Sequence, residues 1–333
     1  MAPILYKLPE AVPALLDALK ASRTLFFNCE GVDLGTKGGS LTVMSFGTPQ
    51  SPDDAHIVHV PPIGATALRP IFDLLESETI QKVVFDGRMS QCALFYGFDG
   101  VKLRNVVDLQ IADVKARRET EPLGSKEQLE RLVPYLPYKE VMGDQAIMYQ
   151  HVHKLAGLVQ AFVEHGLDAE VWEDAAEMYL DKTRYRNWAK KDLSQDQLNY
   201  AATDISLISR LYAHFNKKEL LDREVCEASE RYVSLWIRDG LGQPIIDGTA
   251  GYGLTHTCSG CKRSLTRACF SRSAWDKNGN CLVCRAVHLH TARKAERLRH
   301  RYDSDDDYGY GWGYDGGSPG PEDGYAYYGS DLD

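Results

Sequence analysis

With 333 residues, 44% of them hydrophobic and 26% charged, the chain has the composition of a globular protein of two modules, one large enough to bury a substantial core. It has no apolar run near the roughly 20 residues that span a bilayer, and its start lacks a basic region followed by a hydrophobic signal core, which predicts an intracellular protein, cytoplasmic or nuclear, with no membrane partner. The formal net charge of −9 argues against whole-surface attraction to nucleic acid, although residues 302–333 hold many acids and no Lys or Arg, so the remaining body is near neutral.

Pro9 to Ala21 carries Leu15, Leu16 and Leu19 at helical spacing, with Pro9 suited to a first turn, and predicts a short helix. TLFFNCEGVDLG, from Thr24 to Gly35, begins as a strand apolar on both faces and ends in Asn28 and Glu30, which share one face while Cys29 points to the other. Two side chains of metal-ligand type closing a buried strand are a common way to mount a site on a rigid element. TKGGS predicts a hairpin turn into a second strand, SLTVMSF at Ser40 to Phe46, and HIVHV at His56 to Val60 predicts a third, ended by Pro61 and Pro62. Pro70 to Leu75 reads as a helix, and KVVFD at Lys82 to Asp86 as a buried strand before Gly87. Ser90 to Phe98 is expected to be helical, with Cys92, Ala93, Leu94 and Phe95 inward, and NVVDLQIA from Asn105 to be a strand or buried turn.

From Leu123 the pattern turns helical, with KEQLERLVPYL stopped near Pro134 and Pro137. Gly143 to Gly166 is the longest helical candidate, with Ile147, His151, Leu155, Leu158 and Phe162 at spacings of three or four, and His151 and His153 are read as structural histidines. Ser194 is a suitable N-cap for a helix to Phe215 that places Tyr200 and Asp204 on one face and Leu207, Leu211 and Phe215 on an apolar side.

Three of these stretches, NCEGVDLG, KVVFDGRMSQCALFYGF and NYAATD, resemble in order and spacing the three motifs of the ribonuclease D-like, DEDDy class of 3′-to-5′ exonuclease domains, over about three fifths of the chain. The resemblance implies an α/β fold of the ribonuclease H-like type, a mixed sheet flanked by helices. It also implies two Mg²⁺ or Mn²⁺ ions held by four carboxylates, with a tyrosine positioning the water. Two divalent ions about 4 Å apart repel by roughly 16 kcal/mol at an effective dielectric near 20, which carboxylates and substrate phosphate must offset. Matched residue by residue, Glu30, Tyr200 and Asp204 fit the pattern, whereas Asn28 and Ser90 stand where the family has Asp. Glu30 and Asp204 remain as candidate Mg²⁺ or Mn²⁺ ligands, and Asp86 is a nearby acid that could substitute for the missing one.

Glu219 to Trp236 forms a charged amphipathic helix candidate with Leu221, Val225, Tyr232 and Trp236, and a Gly-rich linker follows. Cys258-x-x-Cys261 and Cys281-x-x-Cys284, nineteen residues apart, have the spacing of a four-thiolate structural zinc site, with Cys269 and His256 as possible substitutes and Phe270, Trp275 and Leu282 as a small core. Arg285 to Arg301 is a basic helix candidate whose Arg293, Lys294 and Arg297 could contact phosphates, or could equally be a solvated face. Residues 302–333 are acidic, aromatic and of low complexity, and are expected to be disordered.

The expected organisation is an exonuclease-like domain at 1–240, a linker at 241–255, a zinc module at 256–290, a basic helix at 291–301 and the tail at 302–333. Two functions remain open. One is a nucleic-acid-binding protein, on RNA or DNA that is single-stranded, whose degenerate metal site leaves hydrolysis weak or absent, with the zinc module or tail as a contact for a protein partner. The other is an active 3′-to-5′ exonuclease working by two-metal hydrolysis.

Overall fold

The computed structural model describes residues 2–35, 39–143, 146–167, 188–189, 192–234, 237, 255–260, 264–286, 288–289, 292 and 296. They fall into two compact units: the first gathers the described residues of Met1–Ala116 and Ala156–Ile237, the second those of Arg117–Leu155 and Arg238–Gly324. Residues 117–155 group with the described residues of the C-terminal part in the second unit.

In the first unit, β1 (Ala2–Tyr6), α1 (Val12–Lys20), β2 (Thr24–Val32), β3 (Ser40–Thr48), β4 (Ser51–His59), α2 (Ala65–Glu76), β5 (Gln81–Val84), α3 (Arg88–Gly97) and β6 (Val106–Asp108) follow one another. Their strands form one mixed sheet in the order β1-β4-β3-β2-β5-β6. β2 pairs antiparallel with β3 and parallel with β5. Alternation along β2 serves two cores: Leu25, Phe27 and Cys29 pack with Leu15 and Leu19 of α1 and Ile71 and Leu75 of α2, while Phe26 faces the opposite cluster. That cluster contains Ile205, Ile208 and Leu211 of a long helix, so helices cover both faces of the sheet. This is the mixed α/β architecture expected from the sequence.

The β4 strand begins earlier than expected, at Ser51, and its end at His59 gives way to a helical turn over Val60–Ile63 that accommodates Pro61 and Pro62 at its start. β1 was not anticipated. It is an edge strand parallel to β4, and such a position tolerates the missing amide of Pro3. Lys82 on β5 is buried, with its ammonium donating to the carbonyls of Leu74 (3.5 Å), Ser77 and Ile80 (2.6 Å), so it caps the chain leaving α2.

β6 runs into α4 (Leu109–Thr120), after which the second unit contains α5 (Lys126–Glu130), α6 (Tyr138–Val141) and a 3₁₀ turn at Ala146–Tyr149. The long helix expected over Gly143 to Gly166 is absent from the described residues, which turn helical again only at α7 (Leu158–Glu164). Its backbone carbonyls are taken by side chains instead: Gln128 Nε2 donates to Gln150 O and Val152 O, Arg117 to Lys154 O and Gln110 to Ala156 O. These bonds satisfy an extended chain and compete with the helix that spacing alone suggested. His151 there is exposed, and His153 is pushed down to about 4 by burial and by Arg117 and Arg118.

The remaining helices of the first unit are α8 (Gln195–Lys217) and α9 (Arg223–Val233). The C-terminal part of the second unit contains a hairpin of β7 (Thr255–Thr257) and β8 (Ser264–Thr266), then α10 (Arg272–Asp276). Phe270 is buried there beside Leu265, as the expected small core requires. Leu282 is not part of that core. It packs with Leu129, Leu132, Leu136, Val141 and Tyr149, because the helical turn after Cys281 aims it at the inserted segment. Trp236, the linker expected over 241–255 apart from its last residue, the hairpin turn at 36–38, Arg293, Lys294, Arg297 and the tail lie outside the described residues.

Candidate functional site

The first strand and the long helix bring three polar side chains together. β2 carries Asn28 and Glu30 on the face opposite Cys29, and the pairing with β3 shifts register between Glu30 and Gly31. A bulge at that point twists the strand end and re-aims its side chains. Only glycine fits at position 31, because a Cβ there would lie 2.0 Å from Ser40 O. From the other side, α8 is fixed by a capping box in which Ser194 accepts from Gln197 N and Gln197 reaches back to Ser194 N. Its apolar stripe of Ala201, Ile205, Ile208 and Leu211 packs on the sheet and carries Asp204, 4% exposed, to the end of β2.

There the Asn28 amide nitrogen donates to both acids, to Asp204 Oδ2 at 2.8 Å and to Glu30 Oε1 at 3.3 Å. Burial raises the Glu30 carboxyl well above the usual carboxylate range; the Asp204 charge and a hydrogen bond to Asp204 add to the rise, and the Asn28 amide opposes it. The two carboxyl groups thus face each other with the neutral Asn28 amide reaching both.

The other two residues singled out from the sequence are held by different neighbours. Ser90, near the start of α3, is buried and hydrogen-bonds the Cys29 thiol, behind the strand from Asn28 and Glu30. Tyr200, one helical turn before Asp204, is half-buried with its ring centroid 6.4 Å from that of Trp188. Asp86 does not join the cluster. Arg88 grips it with a forked pair of bonds at 2.6 and 2.8 Å and stacks over Tyr232, 4.6 Å from the ring centroid, while the Tyr232 hydroxyl donates to Asp86 at 3.3 Å.

Asp108, which closes β6, was not singled out from the sequence. Its buried carboxylate accepts the amides of Asp86 (3.0 Å), Gly87 (2.9 Å) and Gln110 (3.0 Å), and burial together with the Asp86 charge pushes its carboxyl up to about 7. It thereby fixes the turn into α3, where Asp86 has a left-handed φ of 50°. The signal available was an acid ending a short apolar strand, the same kind of signal that drew notice to Glu30.

In the second unit, Cys258, Cys281 and Cys284 converge with their sulfur atoms all within 4.8 Å of one another. Two backbone amides point at these sulfurs, Cys281 N at Cys258 Sγ (3.1 Å) and Cys284 N at Cys281 Sγ (3.4 Å). Gly260 lies against the cluster so closely that a Cβ would stand 2.9 Å from Cys284 Sγ. Cys261 lies outside the described residues. His256 is not among the residues whose ligand atoms converge there; its ring stacks on Trp275 at 3.8 Å with Nδ1 against Trp275 O at 3.0 Å. Cys269 packs beside the cluster without joining it.

Residues 7–219 match a family profile described as 3′-5′ exonuclease. Among solved structures, a Trypanosoma brucei RNase D in complex with RNA U12 is similar at 18% identity, covering 85% of this chain and 82% of its own, with a TM-score of 0.48. Brucella melitensis NrnC with bound Mg²⁺ shares 16% identity over 70% of this chain and 88% of its own, with a TM-score of 0.41. The catalytic core of RRP6 from Trypanosoma brucei shares 17% over 70% of this chain and 52% of its own, with a TM-score of 0.43. No curated protein matches the chain. No helix among the described residues is long and apolar enough to cross a membrane.

The Glu30 environment has a consequence for stability. A carboxyl whose folded pKa lies above its unfolded value, about 4.3, contributes stability that is present below that value and lost as pH rises through the folded one. In chelator, wild-type unfolding free energy should therefore fall as pH rises above about 4.3. Glu30→Gln, neutral at every pH, should flatten that slope, leaving the variant near the wild type at about pH 4 and more stable than it at about pH 8. Denaturant unfolding at the two pH values measures this, and parallel curves for the two proteins would contradict the buried acid pair.

Proposed function

Because the chain belongs to the 3′-5′ exonuclease family, we propose that it binds single-stranded nucleic acid through a domain whose metal site is degenerate, so that hydrolysis is weak or absent. The observation that carries this reading is the Asn28 amide, which donates to Asp204 and Glu30 at the place where the family's first motif has an acid. The Asn28 amide can offer a cation only its neutral oxygen, and its nitrogen supplies hydrogen bonds without charge. Glu30 and Asp204 alone bring at most two negative charges against the four positive charges of two divalent ions, which leaves an ion pair far more dependent on substrate phosphate than four carboxylates would. The side chains present do not fit a pair of Mg²⁺ or Mn²⁺ ions. Arg293, Lys294 and Arg297 would add phosphate contacts from the basic segment. Removing one preorganised charge-stabilising group costs about 10² to 10³ in rate, which favours binding over catalysis here.

The active exonuclease is the second reading, favoured by Tyr200 and Asp204, which keep the third motif on one helix face, and by Glu30 beside them. One assay separates the two. On labelled single strands the wild type should stay near background, and Asn28→Asp with Ser90→Asp should raise Mn²⁺-dependent removal of 3′ nucleotides more than the two single changes combined. Robust wild-type activity that disappears in Glu30→Ala would return the protein to the enzyme class.

For the second unit the proposal is a structural zinc ion held by Cys258, Cys281 and Cys284 with Cys261 as the fourth ligand. Amide donors aimed at clustered sulfurs support thiolates more than neutral thiols, because the sulfurs then act as acceptors. Four protein ligands would leave no open position for water, so the ion would stabilise and not catalyse. Native mass spectrometry of the whole chain should show one bound zinc, lost in Cys281→Ser with Cys284→Ser. Retention of zinc in that variant would reject the ligand set.

A further inference from the structure

We infer that the face of the cysteine module bearing Leu282 and Arg285 is a docking surface whose partner is this chain's own inserted segment, residues 126–149, so that metal occupancy at Cys281 and Cys284 governs the order of that segment. The metal half of this inference rests on the zinc reading above; the docking half does not.

Leu282 is only 3% exposed and shares one cluster with Leu129, Leu132, Leu136, Val141 and Tyr149, while Ala286 and Leu289 pack at its edge. Positions 282, 286 and 289 follow helical spacing, so one stripe of the turn after the cysteines faces the segment. Beside the stripe, Arg285 forks onto Glu140, with Nη2 2.8 Å from Oε2 and Nη1 on Oε1, and the Tyr149 hydroxyl donates to the same carboxylate. Glu140 is largely buried, its side chain 12% exposed, so losing Arg285 would leave a charge poorly hydrated.

The segment cannot stand by itself. α5 has five residues and α6 four, and isolated helices shorter than about 12 residues are marginal in water. Its apolar side chains need a lid, and Leu282 supplies the centre of one. Leu282 lies between Cys281 and Cys284, and Arg285 N is bonded to Cys281 O at 2.9 Å. An ion holding both sulfurs therefore fixes the turn that aims both docking side chains. Released sulfurs would free that turn, and the segment would lose its lid.

Hydrogen exchange on the full chain, read by mass spectrometry alongside zinc content, tests both halves. Leu282→Ala and Glu140→Gln should each retain zinc and raise exchange across 126–149 by about tenfold or more, leaving residues 24–32 of β2 unchanged. Cys281→Ser with Cys284→Ser should lose zinc and raise exchange in the same segment. Unchanged exchange in both docking variants with zinc retained would overturn the docking. Unchanged exchange in the cysteine variant after loss of zinc, or a wild type that carries no zinc, would overturn the metal linkage while the Leu282→Ala result stands independently.

Discussion

Two acids placed face to face at the end of a buried strand must be neutralised by something. In this protein Glu30 from β2 and Asp204 from α8 meet there, and the group that reaches both is the amide of Asn28. Two hydrogen bonds from a neutral amide hold the pair, and burial with the Asp204 charge raises the Glu30 carboxyl. Neighbouring packing is consistent with that arrangement: the bulge after Glu30, the glycine that lets Ser40 approach, and the capping box of α8 all fix where the two carboxyl groups stand.

Around this point the neighbouring polar groups are held by local partners. Asp108 still ties the turn into α3 through three backbone amides, yet the residue that the turn presents at position 90 is a serine resting on Cys29. The acid at position 86 is spent on Arg88 and Tyr232.

The sheet was legible because its central strands are runs of apolar residues, and because the two-residue side-chain period sorts Phe26 from Leu25 and Phe27. The pairing of Tyr200 and Asp204 on one face followed from helix geometry alone. Where the reading failed, a nonlocal partner had intervened. Residues 143–166 have helical spacing, but Gln128, Arg117 and Gln110 capture the carbonyls a helix would need. Leu282 looked like core of the cysteine module because it lies between two cysteines, yet its contacts are more than a hundred residues away in sequence, with Leu129 to Tyr149. β1 was invisible for a related reason, since an edge strand of five residues owes its form to pairing with β4. The role of Asp108 depends on amides brought to it by the fold.

The central claim is that Glu30 and Asp204, bridged by Asn28, do not support a pair of divalent ions. A titration of the full-length wild type with Mn²⁺, followed by electron paramagnetic resonance with any zinc site already filled, tests it most directly. The expected result is no site, or one weak site, with dissociation above about 1 mM, corresponding to at most about 4.1 kcal/mol of binding free energy. Two sites filling at micromolar Mn²⁺ and abolished together by Glu30→Ala would contradict it.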